Sequence, residues 1–199
     1  MAHRPRGEMI AETRAKLIGA ARKAFGEVGY AEASMDDFTA EAGLTRGALY
    51  HHFGDKKGLF EAVVLEIDSE MTARMEAAAK SAPTRWQGLV DECNAYIQMA
   101  LEPEIQRIVF RDGPAVLGDP SSWPNAGGCV AMMTDSVARL QQKDIIADVD
   151  AEAAARVING ALGYASQWIA NADDPRTVSQ KAVQAFNVFL EGLLRRKPA

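Results

Sequence analysis

The sequence predicts an all-α fold of about nine helices. Apolar residues recur with a helical period of 3.6 residues in nearly every segment. No segment shows the strict apolar–polar alternation of a half-buried strand. Apolar residues make up 48% of the 199 residues, which is enough to build a sizeable core.

Charge is distributed unevenly along the chain. The net charge is −5, but residues 1–57 carry +1 and residues 58–199 carry −6. An acidic chain argues against indiscriminate nucleic-acid binding, whereas a neutral-to-basic head on an acidic body fits a small DNA-reading module. We therefore predict a head at 1–57 and a second, helical domain at 58–199.

Several protein classes are disfavoured by composition. No apolar run reaches the roughly 18 residues of a membrane span. The first residues lack an apolar signal region, which predicts a cytoplasmic protein. Cys93 and Cys129 form no CxxC pair, so we expect reduced, structural thiols. We also expect no bound cofactor.

The head should contain three helices. The first carries an apolar stripe from Leu17 to Val28 and should end at Gly29. Ser34 can cap a short second helix. Thr45, after a glycine turn, can cap a third that runs to about Phe53.

Two short helices joined by a tight glycine turn, over residues 34–53, describe a helix-turn-helix. The N-terminal end of its second helix would enter the major groove of DNA. The predicted DNA-binding residues are the cap and turn positions together with exposed polar side chains: Ser34, Thr45, Arg46, Gly47, Tyr50, His51, His52 and Lys56. Arg46 would meet a base edge, and Lys56 would add a phosphate contact from the start of the fourth helix.

The string "GYAEASMDDFTAEAGLTRGALYHHFGDKKGLFEAVV" closely resembles the N-terminal domain of the TetR family of transcriptional regulators. One departure is Thr39, where that family usually has a small apolar residue. The resemblance implies a homodimer that reads a palindromic operator in double-stranded DNA. It also implies a repressor released by a small effector bound in the C-terminal domain.

Two features of the head allow other interpretations. His51 and His52 suggest a metal site, but adjacent residues on a helix point about 100° apart, which disfavours a shared metal. Arg4 and Arg6 could form an arm that reaches the minor groove, or a plain disordered tail.

The body should begin with a long helix from about Asp55 to Lys80, which bridges from the head. Thr84 and Pro103 begin further helices. The stretch 112–128 holds three prolines and four glycines and cannot form one long helix. Asp150 caps a helix to about Ala172, and Asp174-Pro175 opens the last helix, to about Arg196.

Aromatic and methionine side chains of the body exceed what a small helical domain needs, which predicts a pocket for a partly apolar effector. The predicted lining residues are Trp86, Tyr96, Met99, Phe110, Trp123, Met133, Tyr164 and Trp168. Any one of them could instead be ordinary core. Trp123 could cover the pocket mouth or be pinned to the core.

The last two predicted helices have unusually wide apolar surfaces. A helix that is apolar on every face must be covered on every face. A four-helix bundle with a second copy would do this, with Ala165 and Phe186 as candidate contacts. The alternative is a large core within one chain.

Two rival functions remain. An enzyme is disfavoured because no histidine, metal cluster or nucleotide loop follows residue 52. An architectural DNA protein would show weak sequence preference and no response to small molecules. The acidic body and the aromatic surplus favour a regulator.

Overall fold

A computed structural model describes residues 6–195, and this part of the chain folds into nine helices without a strand. The all-α prediction is confirmed. The helices are α1, Arg6–Glu32; α2, Met35–Glu41; α3, Arg46–Phe53; α4, Lys56–Ser81; α5, Arg85–Met99; α6, a continuous winding of Pro103–Ile105, Gln106–Asp112 and Gly113–Leu117; α7, Ala126–Gln141; α8, Ala151–Ala170; and α9, Pro175–Glu191. Arg4 of the predicted arm lies outside the described residues.

Four predicted N-caps are confirmed. The side chains of Ser34 and Thr45 accept hydrogen bonds of 3.2 Å from Asp36 N and Ala48 N. Those of Asp150 and Asp174 do the same at the starts of α8 and α9. These caps fix where α2, α3, α8 and α9 begin, because each one satisfies an amide that has no partner within its helix.

Gly29 interrupts α1. Its backbone has φ 84° and ψ 169°, outside the helical region, so the chain bends there before one more turn to Glu32. The sequence predicted a helix end at this glycine, and the positive φ explains why a glycine stands there.

The middle of α6, Gln106–Asp112, is a π-helix. This wide turn directly precedes Pro114, which has no amide hydrogen and whose ring crowds the preceding turn. The stretch 112–128 forms no long helix, as predicted. It contains the end of α6, a short 3₁₀ turn at Pro120–Ser122 and the start of α7.

The long α4 joins head and body, as predicted. It packs against α1 and α3 of the head and against α5 of the body. In the head, the ring of Phe25 meets the rings of Phe38 and Phe60 at 5.8 and 5.1 Å in edge-on contacts. All three rings are fully buried, and Phe60 of α4 joins the rings of the head to the rest of the apolar core. Within residues 6–195, no helix is long and apolar enough to cross a membrane.

Candidate nucleic-acid interface and effector cavity

The helix α3 presents one face to solvent. Leu49 is fully buried and Ala48 is half-buried, as predicted, and they hold α3 against the head core. Arg46, Tyr50 and His51 are exposed on the outer side. The arrangement offers a cationic group, a phenol and an imidazole to a ligand along one helix.

Arg46 forms a two-pronged ion pair with Asp36 of α2. Its Nε donates to Oδ1 and its Nη2 to Oδ2. Both side chains remain more than half exposed. The pair holds the guanidinium beside the N-terminus of α3 and raises the pKa of Arg46, chiefly through the hydrogen bonds to Asp36.

Thr39 lies on α2, three residues after Asp36. It is buried, and its hydroxyl donates to the carbonyls of Met35 at 2.7 Å and Asp36 at 3.2 Å. The threonine that departs from the family pattern therefore satisfies its own hydroxyl inside the first turn of α2.

His51 and His52 lie side by side, with ring centroids 5.2 Å apart and edge-on. His51 is exposed and His52 is half-buried. Among residues 6–195, no group of three or more histidine, cysteine, aspartate or glutamate side chains is arranged to hold a metal ion.

Lys56 has partners within the protein. Its Nζ lies 4.6 Å from the centre of the Tyr30 ring and donates to the carbonyl of Ala31 at 3.3 Å. Burial lowers the pKa of Lys56. The sequence predicted a phosphate contact here, but the structure turns this charge toward the end of α1, and the neighbouring Lys57 is the more exposed lysine.

Arg22 is the centre of the junction between head and body. It hydrogen-bonds Glu70 on α4 at 2.6 and 2.8 Å and Glu104 on α6 at 2.8 and 2.9 Å, and it reaches Glu66 at 3.3 Å. The hydrogen bonds from Arg22 lower the pKa of Glu70. One guanidinium therefore connects three helices.

The π-helical turn of α6 holds the bent end of α1. Arg107 donates to the carbonyl of Glu27 at 2.7 Å, and Asp112 accepts from the amide of Tyr30 at 2.7 Å. Sequence reasoning missed this junction, because its partners are about 80 residues apart along the chain.

Tyr96 and Phe110 come together inside the body, with ring centroids 5.7 Å apart. Tyr96 is half-buried at this contact. Burial, and then the charge of Asp68, raise the pKa of both the Tyr96 phenol and the Cys129 thiol. Asp68 was not singled out from the sequence. Its position at the edge of the apolar stripe of α4 could have indicated that its carboxylate faces the interior.

The other predicted lining residues are dispersed. Met99 and Met133 are buried, and Trp86 is half-buried. Trp123 is half-buried and packs so closely on Gly113 that a Cβ there would lie 2.6 Å from the Trp123 ring. Its indole N–H donates to the carbonyl of Gly118 at 3.2 Å, so Trp123 is pinned to the end of α6.

Tyr164 and Trp168 do not line the interior with the others. They are 75% and 47% exposed on the outer side of α8, because the opposite side of that helix carries the buried Ile158, Leu162 and Ile169. Three more apolar side chains are exposed on these last two helices, Val157 on α8 and Val188 and Phe189 on α9. We call these five residues the apolar face. Phe186, proposed from sequence as a contact, is only 5% exposed and belongs to the core.

Two open grooves also mark the body. The larger, of about 960 Å³, lies between α4, α5 and the start of α9 and includes Met99, Gln98 and Arg176. The smaller, of about 470 Å³, lies between α4, α5 and α7 and includes Glu92. Burial and the nearby charge of Glu76 raise the pKa of Glu92.

Comparison with known proteins covers both parts of the chain. The family described as bacterial regulatory proteins, tetR family, matches residues 17–63. The family described as tetracyclin repressor-like, C-terminal domain, matches residues 86–193.

Solved structures are similar over nearly the whole chain. A TetR-family transcriptional regulator from Pectobacterium atrosepticum is 48% identical, with a TM-score of 0.89 over 98% of this chain and 100% of that one. A TetR-family regulator from Streptomyces coelicolor has a TM-score of 0.69 at 24% identity over 92% of this chain and 96% of that one, which indicates the shared fold alone.

Curated relatives match over a shorter length. The HTH-type transcriptional repressor AcnR of Corynebacterium glutamicum is 29% identical over 107 residues, or 53% of this chain and 55% of that protein. The chain thus spans about half the length of this curated relative.

Proposed function

Because the chain belongs to the TetR family of transcriptional regulators, we propose that it is a sequence-specific DNA-binding repressor released by a small effector. The observation that carries this proposal is the exposed outer side of α3, with Arg46, Tyr50 and His51 directed to solvent from a helix capped by Thr45. A helix of this kind fits the major groove, where side chains near its N-terminus meet base edges. Such a regulator of bacterial genes acts in the cytoplasm.

The DNA-binding part comprises residues 1–57, and the regulatory part comprises residues 58–199. Ser34 and Thr45 hold the two helices of the motif by capping them, and Gly47 leaves space for the DNA backbone. Tyr50, His51 and His52 offer hydrogen bonds to phosphates. Lys56 first steadies the end of α1, so its contribution to DNA binding is mainly indirect.

The active species is a homodimer that reads a palindrome. The apolar face supports this arrangement, since a second copy would cover Tyr164, Trp168 and Phe189 and remove them from water. Two copies related by a twofold axis place their α3 helices in successive major grooves.

The effector binds beside Tyr96 and Phe110 and is partly apolar. Tyr96 supports this placement, because its ring is only half-buried and lies on the ring of Phe110. The effector binds the dimer more tightly when the two heads have a spacing that does not fit DNA. It therefore shifts the population away from the DNA-bound form.

The test is in vitro selection of an operator, followed by binding measurements with Arg46→Ala. We expect the variant to lose about 1–3 kcal/mol of operator affinity and to discriminate less at one base position. A folded Arg46→Ala dimer with unchanged affinity and specificity would show that Arg46 does not read the operator.

A further inference from the structure

The pairing of Arg46 with Asp36 uses one particular edge of the guanidinium. Asp36 accepts from Nε and Nη2, the side edge of the group. The end edge, with one N–H of Nη1 and the second N–H of Nη2 pointing the same way, has no hydrogen-bond partner among residues 6–195. Those two parallel donors match O6 and N7 of a guanine in the major groove.

The backbone that carries Asp36 is held by the cap of α2. Its amide donates to the hydroxyl of Ser34 at 3.2 Å, and the hydroxyl of Thr39 bonds the same turn, chiefly to the carbonyl of Met35 at 2.7 Å and more weakly to that of Asp36 at 3.2 Å. The backbone from which the Asp36 carboxylate extends is therefore held in place in the first turn of α2. A fixed carboxylate restricts a long, flexible arginine side chain to one orientation.

The pair has no evident role in stability. Both side chains are more than half exposed, and exposed ion pairs stabilise a fold little. In a DNA complex, however, water leaves the interface, and the same hydrogen bonds strengthen as the surrounding dielectric falls.

We propose that Asp36 is a positioning residue for DNA recognition, which holds Arg46 so that the end edge of its guanidinium reads a guanine. The inference rests on the proposed function of Arg46 as a base-reading residue. Asp36 would therefore contribute to sequence specificity, although its carboxylate also repels the phosphates of the DNA backbone. Ser34 and Thr39 support that part by fixing the first turn of α2.

The chain offers a matched control in Asp37. It is exposed in the same first turn of α2, and Asp37→Asn removes the same charge as Asp36→Asn. Both variants should bind non-specific DNA more tightly than the wild type, because each removes one repulsive charge near the phosphates.

The decisive measurement is the ratio of affinities for the selected operator and for a copy in which the guanine read by Arg46 is replaced. We expect Asp36→Asn to reduce this ratio about tenfold and Asp37→Asn to leave it unchanged. Asp36→Glu should recover part of the ratio. On an Arg46→Lys background, Asp36→Asn should cause little further loss, since an ammonium cannot present the two-donor edge.

Failure of the inference can be told apart from failure of the proposed function. If Arg46→Ala reduces discrimination while Asp36→Asn and Asp37→Asn behave alike, Asp36 acts through charge only and the inference is wrong. If Asp36→Asn tightens operator binding and preserves the ratio, Asp36 merely sequesters Arg46, and the inference is again wrong. If Arg46→Ala keeps full discrimination at every base position, Arg46 does not read a base, and it is the proposed function of Arg46 that is wrong.

Discussion

The backbone amide of Tyr30 donates a 2.7 Å hydrogen bond to Oδ2 of Asp112, which ties the end of α1 to the last residue of the π-helical turn in α6. The bond is partly buried and joins the DNA-binding head to the body. Its partner contact, from Arg107 to the carbonyl of Glu27, lies on the same turn.

Asp112→Ala should destabilise the protein by about 1–3 kcal/mol, because it leaves the amide of Tyr30 without an acceptor. Asp112→Asn retains a carbonyl oxygen that can accept the same hydrogen bond, so this variant should lose clearly less stability than Asp112→Ala. Urea unfolding followed by circular dichroism measures both. Equal stability of the two variants would show that the amide of Tyr30 finds another partner.

Gly29→Ala should cost about 1–2 kcal/mol, because a Cβ is disfavoured at its φ of 84°. The new Cβ would also lie 3.3 Å from Oδ2 of Asp112. Gly19→Ala is the control within the same helix: a Cβ there meets nothing within 4 Å, and the change should stabilise α1 by roughly 0.5–1 kcal/mol. Changes of the same sign in both variants would contradict the assigned backbone geometry of Gly29.

The ion pairs of Arg22 should make the head–body junction sensitive to acid. The folded-state pKa of Glu70 is lowered, so its contribution is present above the unfolded pKa of about 4.3 and disappears as the pH falls through the folded value. The stability difference between wild type and Arg22→Gln should therefore be largest near neutral pH and shrink below about pH 4.

Urea midpoints measured across this pH range test the expectation. Lys16→Gln, which breaks an exposed pair with Glu12, is the control and should show a much smaller difference at neutral pH. A difference for Arg22→Gln that stays constant down to pH 3 would exclude Glu70 as the titrating partner.

The apolar face should hold the dimer. Tyr164→Glu and Phe189→Glu each place a charge where a second copy would exclude water, and each should weaken dimerisation by several kcal/mol. Gln142→Glu adds the same charge at an exposed polar position outside α8 and α9 and should leave the dimer intact. Light scattering over a range of concentrations measures the effect. Dimers of unchanged strength in both face variants would place the interface elsewhere.

Local chemistry made much of the fold predictable. Ser34, Thr45, Asp150 and Asp174 mark helix starts because a cap needs only a short polar side chain and the amides that follow it. The buried position of Leu49 followed from helical spacing alone.

Features that depend on distant partners were not predictable in the same way. Helical spacing places Tyr164 on an apolar stripe but does not tell whether the stripe meets a cavity, the core or a second chain. From sequence, Lys56 was expected to be a cation available to DNA, but in the fold its Nζ lies over the ring of Tyr30. The pair of Arg46 and Asp36 spans the glycine turn, whose geometry decides whether the two side chains meet.

The π-helical turn of α6 touches three parts of the molecule within seven residues. Phe110 lies on Tyr96 in the interior, Arg107 and Asp112 hold α1, and Arg111 donates to the carbonyl of Ala170 at the end of α8. A substitution that changes how Phe110 packs on Tyr96 therefore acts on the same turn that contacts α1 and α8. If the proposed effector binds beside Tyr96, a change of effector choice through this turn would also change DNA affinity, so variants selected for a new effector should gain it more readily through residues of α5 or α7.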